Sequence, residues 1–256
     1  MTEMSGYAPG TPAWVDLGTP DPAAAKTFYA SVFGWELQDM GPDAGGYMIA
    51  TVRGKQVAGV GPQMGPPGAP PWWTTYVYVE DADASAKTIE AAGGKLMMPP
   101  MDVMDAGRMA VFMDPEGAVC AIWQPKQHRG AELVNEAGAL CWNELATRDV
   151  DAAKQFYGAA FGWQGDTQTM GDMTYTEWKL NGQSIAGMRQ MGAMDPPGLP
   201  AHWLVYFASD DTDASVAKVS EAGGKVMVPP TDIPPGRFAI VSDPQGAIFA
   251  LIKMNA

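Results

Sequence analysis

Apolar and polar positions alternate in short runs along the chain, and each run ends in a helical stretch or a tight turn. Val15 and Leu17 alternate with Trp14 and Asp16, which predicts a strand with two distinct faces. Asp21-Pro22 follows, a capping residue and then the proline that suits a first helical position. Ala25, Phe28, Tyr29, Val32 and Phe33 then recur at helical spacing. YMIATV and QVAGVG read as two further strands joined at Arg53-Gly54. The same order returns downstream. TTYVYV is a strand, Asp83 caps a helix, Gly93-Gly94 ends it, and RMAVFM and AVCAIW are strands joined by Asp114-Pro115-Glu116-Gly117. The predicted unit is β-α-β-β-β.

This double unit is itself repeated. GTPAWVDLGTPDPAAAKTFYASVFGW matches GALCWNELATRDVDAAKQFYGAAFGW at about half its positions, aligning Trp14 with Trp142. Trp73 aligns with Trp203 and Arg108 with Arg237 in the later blocks, and the Arg53-Gly54 turn becomes Asn181-Gly182, a strong hairpin signal. The reading is two copies, 11–126 and 139–254, joined by a polar linker at 127–138 that holds a solvated His128.

The strand alternation assigns residues to two sides of a sheet. Val15, Leu17, Val77 and Val79 face the helices. The opposite side carries Trp14, Asp16, Trp72, Thr74, Tyr76 and Tyr78 in the first copy, and Trp142, Glu144, His202, Leu204, Tyr206 and Ala208 in the second. Counting back through the DPxG hairpins adds Arg108, Ala110, Ala121 and Trp123, and Arg237, Ala239, Ala250 and Ile252. An aromatic surface with few polar groups suits a small-molecule pocket.

Composition narrows the partners. The net charge is −13, and the 16 basic residues are scattered, which argues against nucleic acid and anionic membranes. No apolar run is long enough to span a bilayer, and the start lacks a basic and apolar leader, so a cytoplasmic protein is expected. Two cysteines, Cys120 and Cys141, make no disulfide framework. With only His128 and His202, one chain cannot build a multi-histidine metal site.

Several marks together resemble the vicinal-oxygen-chelate superfamily of glyoxalases, bleomycin-resistance proteins and extradiol dioxygenases. They are the D-x-x-A-A-K-x-F-Y-x-x-x-F-G-W segments at Asp21–Trp35 and Asp149–Trp163, the D-x-D-A-S…A-G-G-K segments at Asp81–Lys95 and Asp211–Lys225, and the two G-R…D-P-x-G hairpins. The tandem form is similar to actinobacterial two-domain glyoxalase-like proteins. The resemblance implies an α+β fold of two tandem domains, each made of two βαβββ modules forming a curved mixed sheet around a cavity. It also implies metal ligands on the first and last strands of each half. Those positions fall on Trp14, Thr74, Ala121 and near Gly59, and on Trp142, Leu204, Ala250 and near Gly187. None is a good ligand for a divalent ion, so no metal or other cofactor is expected.

The candidate catalytic residues are Asp16 and Glu144 as bases, since a carboxylate against aromatic walls has its pKa raised. Structural hydrogen bonding is the alternative reading of each. Tyr76 and Tyr206 are candidates to polarise a carbonyl, or else satisfy backbone groups. His202 is a candidate dyad partner of Glu144, or a structural histidine beside a proline-rich loop. Substrate binding is assigned to Trp14, Trp142, Trp72, Tyr78, Trp123, Arg108 and Arg237. For Arg108 the alternative is an ion pair to Asp105 or Asp102. The 18 methionines suit an adaptable apolar wall or plain core filling. Three functions follow: a glyoxalase-like lyase, isomerase or tailoring enzyme without the usual metal; a sequestering protein of the bleomycin-resistance type; and a metal enzyme with non-standard ligands such as His202 and Glu144. The expected assembly is a monomeric pseudo-dimer or a homodimer.

Overall fold

The computed structural model describes residues 2–64, 68–170, 173–193, 195–196 and 198–255. Domain 1 holds β1 (Thr2–Glu3), β2 (Pro12–Thr19), α1 (Pro22–Phe33), β3 (Glu36–Asp39), β4 (Met48–Val52), β5 (Lys55–Pro62), β6 (Trp72–Tyr78), α2 (Ala82–Ala91), β7 (Lys95–Val103), β8 (Gly107–Met113) and β9 (Val119–Pro125). The linker contributes β10 (Leu133–Val134). Domain 2 repeats the plan with β11 (Leu140–Thr147), α3 (Val150–Phe161), β12 (Gln164–Met170), β13 (Met173–Leu180), β14 (Gln183–Gln190), β15 (His202–Ala208), α4 (Thr212–Glu221), β16 (Lys225–Ile233), β17 (Gly236–Ser242) and β18 (Ile248–Met254).

Each domain is one eight-stranded mixed sheet, in the order β3-β4-β5-β2-β6-β9-β8-β7 and β12-β13-β14-β11-β15-β18-β17-β16. The first strands of the two units meet antiparallel at the centre, and each runs parallel to the last strand of its own unit. The fold is thus the expected α+β tandem. Each helix starts where an aspartate side chain accepts the amide three residues on: Asp21, Asp81, Asp149 and Asp211. The cap expected at Asp83 is therefore Asp81, because that residue keeps extended backbone while Asp83 is already in the first turn.

The helix faces of the two sheets bury one another crosswise. Val15, Leu17, Phe28 and Tyr29 share a core with Val205, Phe207, Phe249 and Leu251. Val77, Val79, Phe112 and Ile122 share another with Leu145, Phe156, Tyr157 and Trp178. Matched buried bonds tie the domains: Tyr29 Oη donates to Asp243 (3.2 Å), Tyr157 Oη to Asp114 (3.0 Å), and Thr75 Oγ1 to Asn143 (2.8 Å). The far faces, away from the helices, carry two further clusters, around Trp14 and Tyr76 in domain 1 and around Leu204 and Tyr206 in domain 2.

Two expectations about these faces fail. Arg108 and Ala110 were assigned to the far face, as were Arg237 and Ala239. Ala110 and Ala239 instead join the helix-side cores, while Met109, Val111, Phe238 and Ile240 line the far faces. The cause is the hairpin. Met113 pairs with Val119, so the DPxG loop spans five residues, Asp114–Ala118, rather than four. Asp114 Oδ1 accepts the amides of Glu116 and Ala118 and closes that longer turn. One extra residue inverts the face of every earlier position on the strand.

The linker is not a free tether. Leu133 and Val134 pair with Glu3 and Thr2, the amides of Lys126 and His128 reach Ala106 O, and Ala131 N reaches Ala13 O. Gly130 makes the close pass: at φ +105, an added Cβ would lie 2.6 Å from Ala13 O. The expectation of a solvated His128 is therefore wrong. Its ring sits edge-on to Trp14 (4.3 Å) and Trp123 (5.7 Å), because the anchored backbone turns it onto the apolar far face of domain 1.

Candidate functional site

Strand pairing brings a carboxylate and two tyrosines together on each far face. In domain 2, Glu144 pairs with Gly187 on one side and Leu204 on the other, and Trp142 pairs with Tyr206. Residues opposite one another share a face, so Trp142, Glu144, Leu204, Tyr206 and Ala250 converge there as expected. Glu144 is 7% exposed and accepts Tyr206 Oη at 3.1 Å. Tyr175, on β13, also donates to Glu144, and its own oxygen accepts Trp142 Nε1 at 2.9 Å. Burial raises the Glu144 pKa, and bonding from Tyr175, the charge of Arg189 and bonding from Tyr206 oppose that rise. Arg189 Nε lies 3.8 Å from Glu144 Oε1, while its two terminal nitrogens hold Asp195 at 3.1 and 2.7 Å.

Domain 1 repeats the carboxylate core. Asp16 pairs with Gly59 and Thr74, and accepts Tyr76 Oη at 2.9 Å and Tyr47 Oη at 3.4 Å. Trp14 Nε1 donates to Tyr47 Oη at 3.2 Å. Burial pushes Asp16 up to about 6, against the bonds from Tyr76, Tyr47 and Thr74. Taken as a whole residue Asp16 is half-buried, whereas Glu144 is buried. Trp123 is buried and donates to His128 O at 2.9 Å. Trp72 and Tyr78 are half-buried at opposite ends of β6.

Other expected site residues are not brought together. His202 pairs with Ala146, two residues beyond the Glu144–Leu204 pair, and its Nδ1 meets Pro200 O at 3.0 Å rather than Glu144. Arg108 grips Asp83 at 2.8 and 3.0 Å, with Asp102 at 3.6 Å, and Arg237 grips Asp213 and Asp232. Both arginines hold helix N-terminal turns on the helix side, a consequence of the five-residue hairpin. Cavities of about 130 and 490 Å³ lie along the linker, and neither is lined by Asp16 or Glu144. Acid, phenol and indole groups converge instead on the far faces, and the candidate site lies there.

The pairing also fixes the register near Gly59 and Gly187. An added Cβ there would lie 1.8 Å from the hydroxyl of Tyr47 or Tyr175. A tyrosine therefore fills the space that a ligating side chain on that strand would need. Trp14, Gly59, Thr74 and Ala121, and Trp142, Gly187, Leu204 and Ala250, supply no imidazole, thiolate or carboxylate. Among the described residues no three His, Cys, Asp or Glu cluster. This donor set does not fit the superfamily's divalent ion.

Sequence reasoning missed Tyr47, Tyr175, Arg189 and Asp195. The first two carried a signal, since they align between the copies and each faces an aligned glycine. Arg189 carried none, because its counterpart is Gly61.

The profile of the Glyoxalase/Bleomycin resistance protein/Dioxygenase superfamily matches residues 11–122 and 139–251. The chain is 46% identical over 263 residues to the Mycobacterium tuberculosis protein named "Putative glyoxylase CFP32", covering 99% of this chain and 98% of that one. It is 40% identical over 266 residues to the Streptomyces peucetius "Anthracycline biosynthesis protein DnrV", covering 98% and 96%. In fold it is similar to the Mn(II)-bound glyoxalase from Novosphingobium aromaticivorans, with a TM-score of 0.66 at 18% identity, covering 95% of this chain and 82% of that one. No described helix is long and apolar enough to cross a membrane.

Proposed function

The chain belongs to the Glyoxalase/Bleomycin resistance protein/Dioxygenase superfamily, and on that premise we propose that it is a small-molecule enzyme that works without the superfamily's usual metal. Its substrate is a carbonyl-containing or aromatic metabolite, and its chemistry is of the lyase, isomerase or tailoring type. The observation that carries this reading is the buried carboxylate Glu144, with its raised pKa, bonded by two tyrosines beside an apolar wall. The relatives' printed names, a glyoxylase and an anthracycline biosynthesis protein, support a carbonyl or polycyclic aromatic substrate.

Glu144 takes a proton from the carbon next to the carbonyl, and the C–H electron pair moves into an enolate. Tyr206 and Tyr175, which now donate to Glu144, are the donors nearest to the developing oxyanion. Return of the proton to another carbon completes an isomerisation, and departure of a β-substituent completes an elimination. The metal-free route rests on the donor set at the ligand positions.

The test is exchange of the α-protons of an anthracyclinone ketone in D2O, read by mass spectrometry. Wild type is expected to accelerate exchange and Glu144→Gln to lose about 100-fold or more of that rate. Equal rates in the two proteins overturn the assignment. Tight ketone binding with no exchange in wild type supports the sequestering reading instead.

A further inference from the structure

The carboxylate, the two tyrosines and the tryptophan occur in both domains, but Arg189 occurs in one. Its counterpart, Gly61, lies where an added Cβ would be 2.7 Å from the Tyr47 ring. The fold therefore does not require an arginine at this strand position. In domain 2 the guanidinium sits two residues beyond Gly187 on the far face, reaches toward Glu144, and is 31% exposed. Its fork is filled by a carboxylate from its own chain: Asp195, on the loop after β14, lies 3.1 and 2.7 Å from the two terminal nitrogens. Among the described residues that carboxylate also accepts Gly192 N, at 2.8 Å from Oδ2, and feels the charge of His202. Trp142, half-buried on the same face, brings its indole nitrogen within 2.7 Å of where a Cβ on Gly187 would lie, two residues before Arg189.

We propose that the far face of domain 2 selects an aromatic ligand bearing a carboxylate, with Arg189 as the specificity-determining residue. Asp195 occupies the ligand's place in the guanidinium fork when the site is empty. This rests on the reading of the far face as a small-molecule site and names its ligand class. A planar fork with two parallel donors matches a carboxylate, and replacing one carboxylate by another leaves the local charge unchanged. The aromatic body of the ligand lies along Trp142, so that a few placed polar groups meet it in an apolar setting.

Calorimetric titration with sodium 2-naphthoate and with 2-naphthamide, near-isosteres differing in charge, tests the proposal. Wild type is expected to prefer the naphthoate by about 10-fold, and Arg189→Met to lose about 30-fold in naphthoate affinity while keeping naphthamide binding. Asp195→Asn, which keeps the loop's amide contact, is expected to tighten naphthoate binding several-fold by removing the competing anion. A purely structural Arg189–Asp195 pair would make both variants weaken binding alike. That result, equal affinity of wild type for the two probes, or no binding of the naphthoate, overturns the proposal. Loss of proton exchange with the naphthoate preference intact would sink the enzymatic reading and leave this one standing.

Discussion

In domain 1, Asp16 is held by Tyr47 and Tyr76, Trp14 is buried under His128, and the returning linker lays Ala131 and Val134 over the same apolar surface. In domain 2, Glu144 is held by Tyr175 and Tyr206, Trp142 stays half-buried, and among the described residues the apolar surface around it comes from that domain's own strands. The duplicated sheet explains what the faces share. Strand register alone brings a carboxylate, a facing glycine and two tyrosines together twice. What they do not share comes from elements outside the duplication: a linker that folds back on one domain, and an arginine where the other has glycine. The comparison separates inherited architecture from what is particular to each domain, and it is the reason the proposed activity is assigned to domain 2.

The largest expected difference is in catalysis. Glu144→Gln is expected to slow proton exchange by about 100-fold or more, while Asp16→Asn changes it by less than about threefold. Equal losses would make the domains equivalent and break the comparison.

The facing glycines come next. Gly187→Ala must displace the Tyr175 hydroxyl and Gly59→Ala that of Tyr47, since each Cβ would lie 1.8 Å away. Each is expected to cost about 1–3 kcal/mol in denaturant unfolding, because overpacking forces side chains off their rotamers. Only Gly187→Ala is expected to impair exchange as well, by unseating a donor to Glu144.

The pH response of domain 1 is smaller and has two opposing parts. Burial holds His128 down at about 4, against an ordinary value of 6.5. The unfolded chain then binds more protons between about 4 and 6.5, so this group removes stability as pH falls through that window. Asp16 has the opposite sign. Raised to about 6 from 3.8, it binds more protons when folded, and adds stability as pH falls from about 6 toward 4. His128→Phe is expected to leave the Asp16 effect exposed, improving stability on acidification relative to wild type by about 1–2 kcal/mol. Asp16→Asn is expected to do the reverse. Urea unfolding at pH 7 and pH 4.5 reads both, and a His128→Phe variant that responds to acid like wild type would show that the linker histidine is not buried.

The smallest effect concerns the indoles. Trp14→Phe and Trp142→Phe each remove one hydrogen bond to a tyrosine, and each is expected to cost about 1 kcal/mol. Trp14→Phe is expected to cost more, because it also loses packing against His128.

The duplicated architecture was legible in the sequence because a helix cap, helical spacing and a hairpin recur four times in order. The carboxylates and the first pair of tyrosines were legible because period-two alternation along β2, β6, β11 and β15 is unbroken through those positions. The arginines were misplaced because parity through a turn depends on its length, and Asp114 wraps a five-residue loop that reads as four. Tyr47 and Tyr175 escaped because strand alternation identifies a face but not which facing residue leaves room for a ring. The linker was misread because its polar composition hides the backbone bonds that fasten Ala131 to Ala13 and His128 to Ala106.

The most direct test is a crystal structure of the full chain with sodium 2-naphthoate. The expected result is one naphthoate on domain 2, its ring along Trp142 and its carboxylate on Arg189 in place of Asp195, with His128 still seated between Trp14 and Trp123. Naphthoate bound against Trp14 in domain 1, with the linker displaced and the domain 2 face bare, would contradict it.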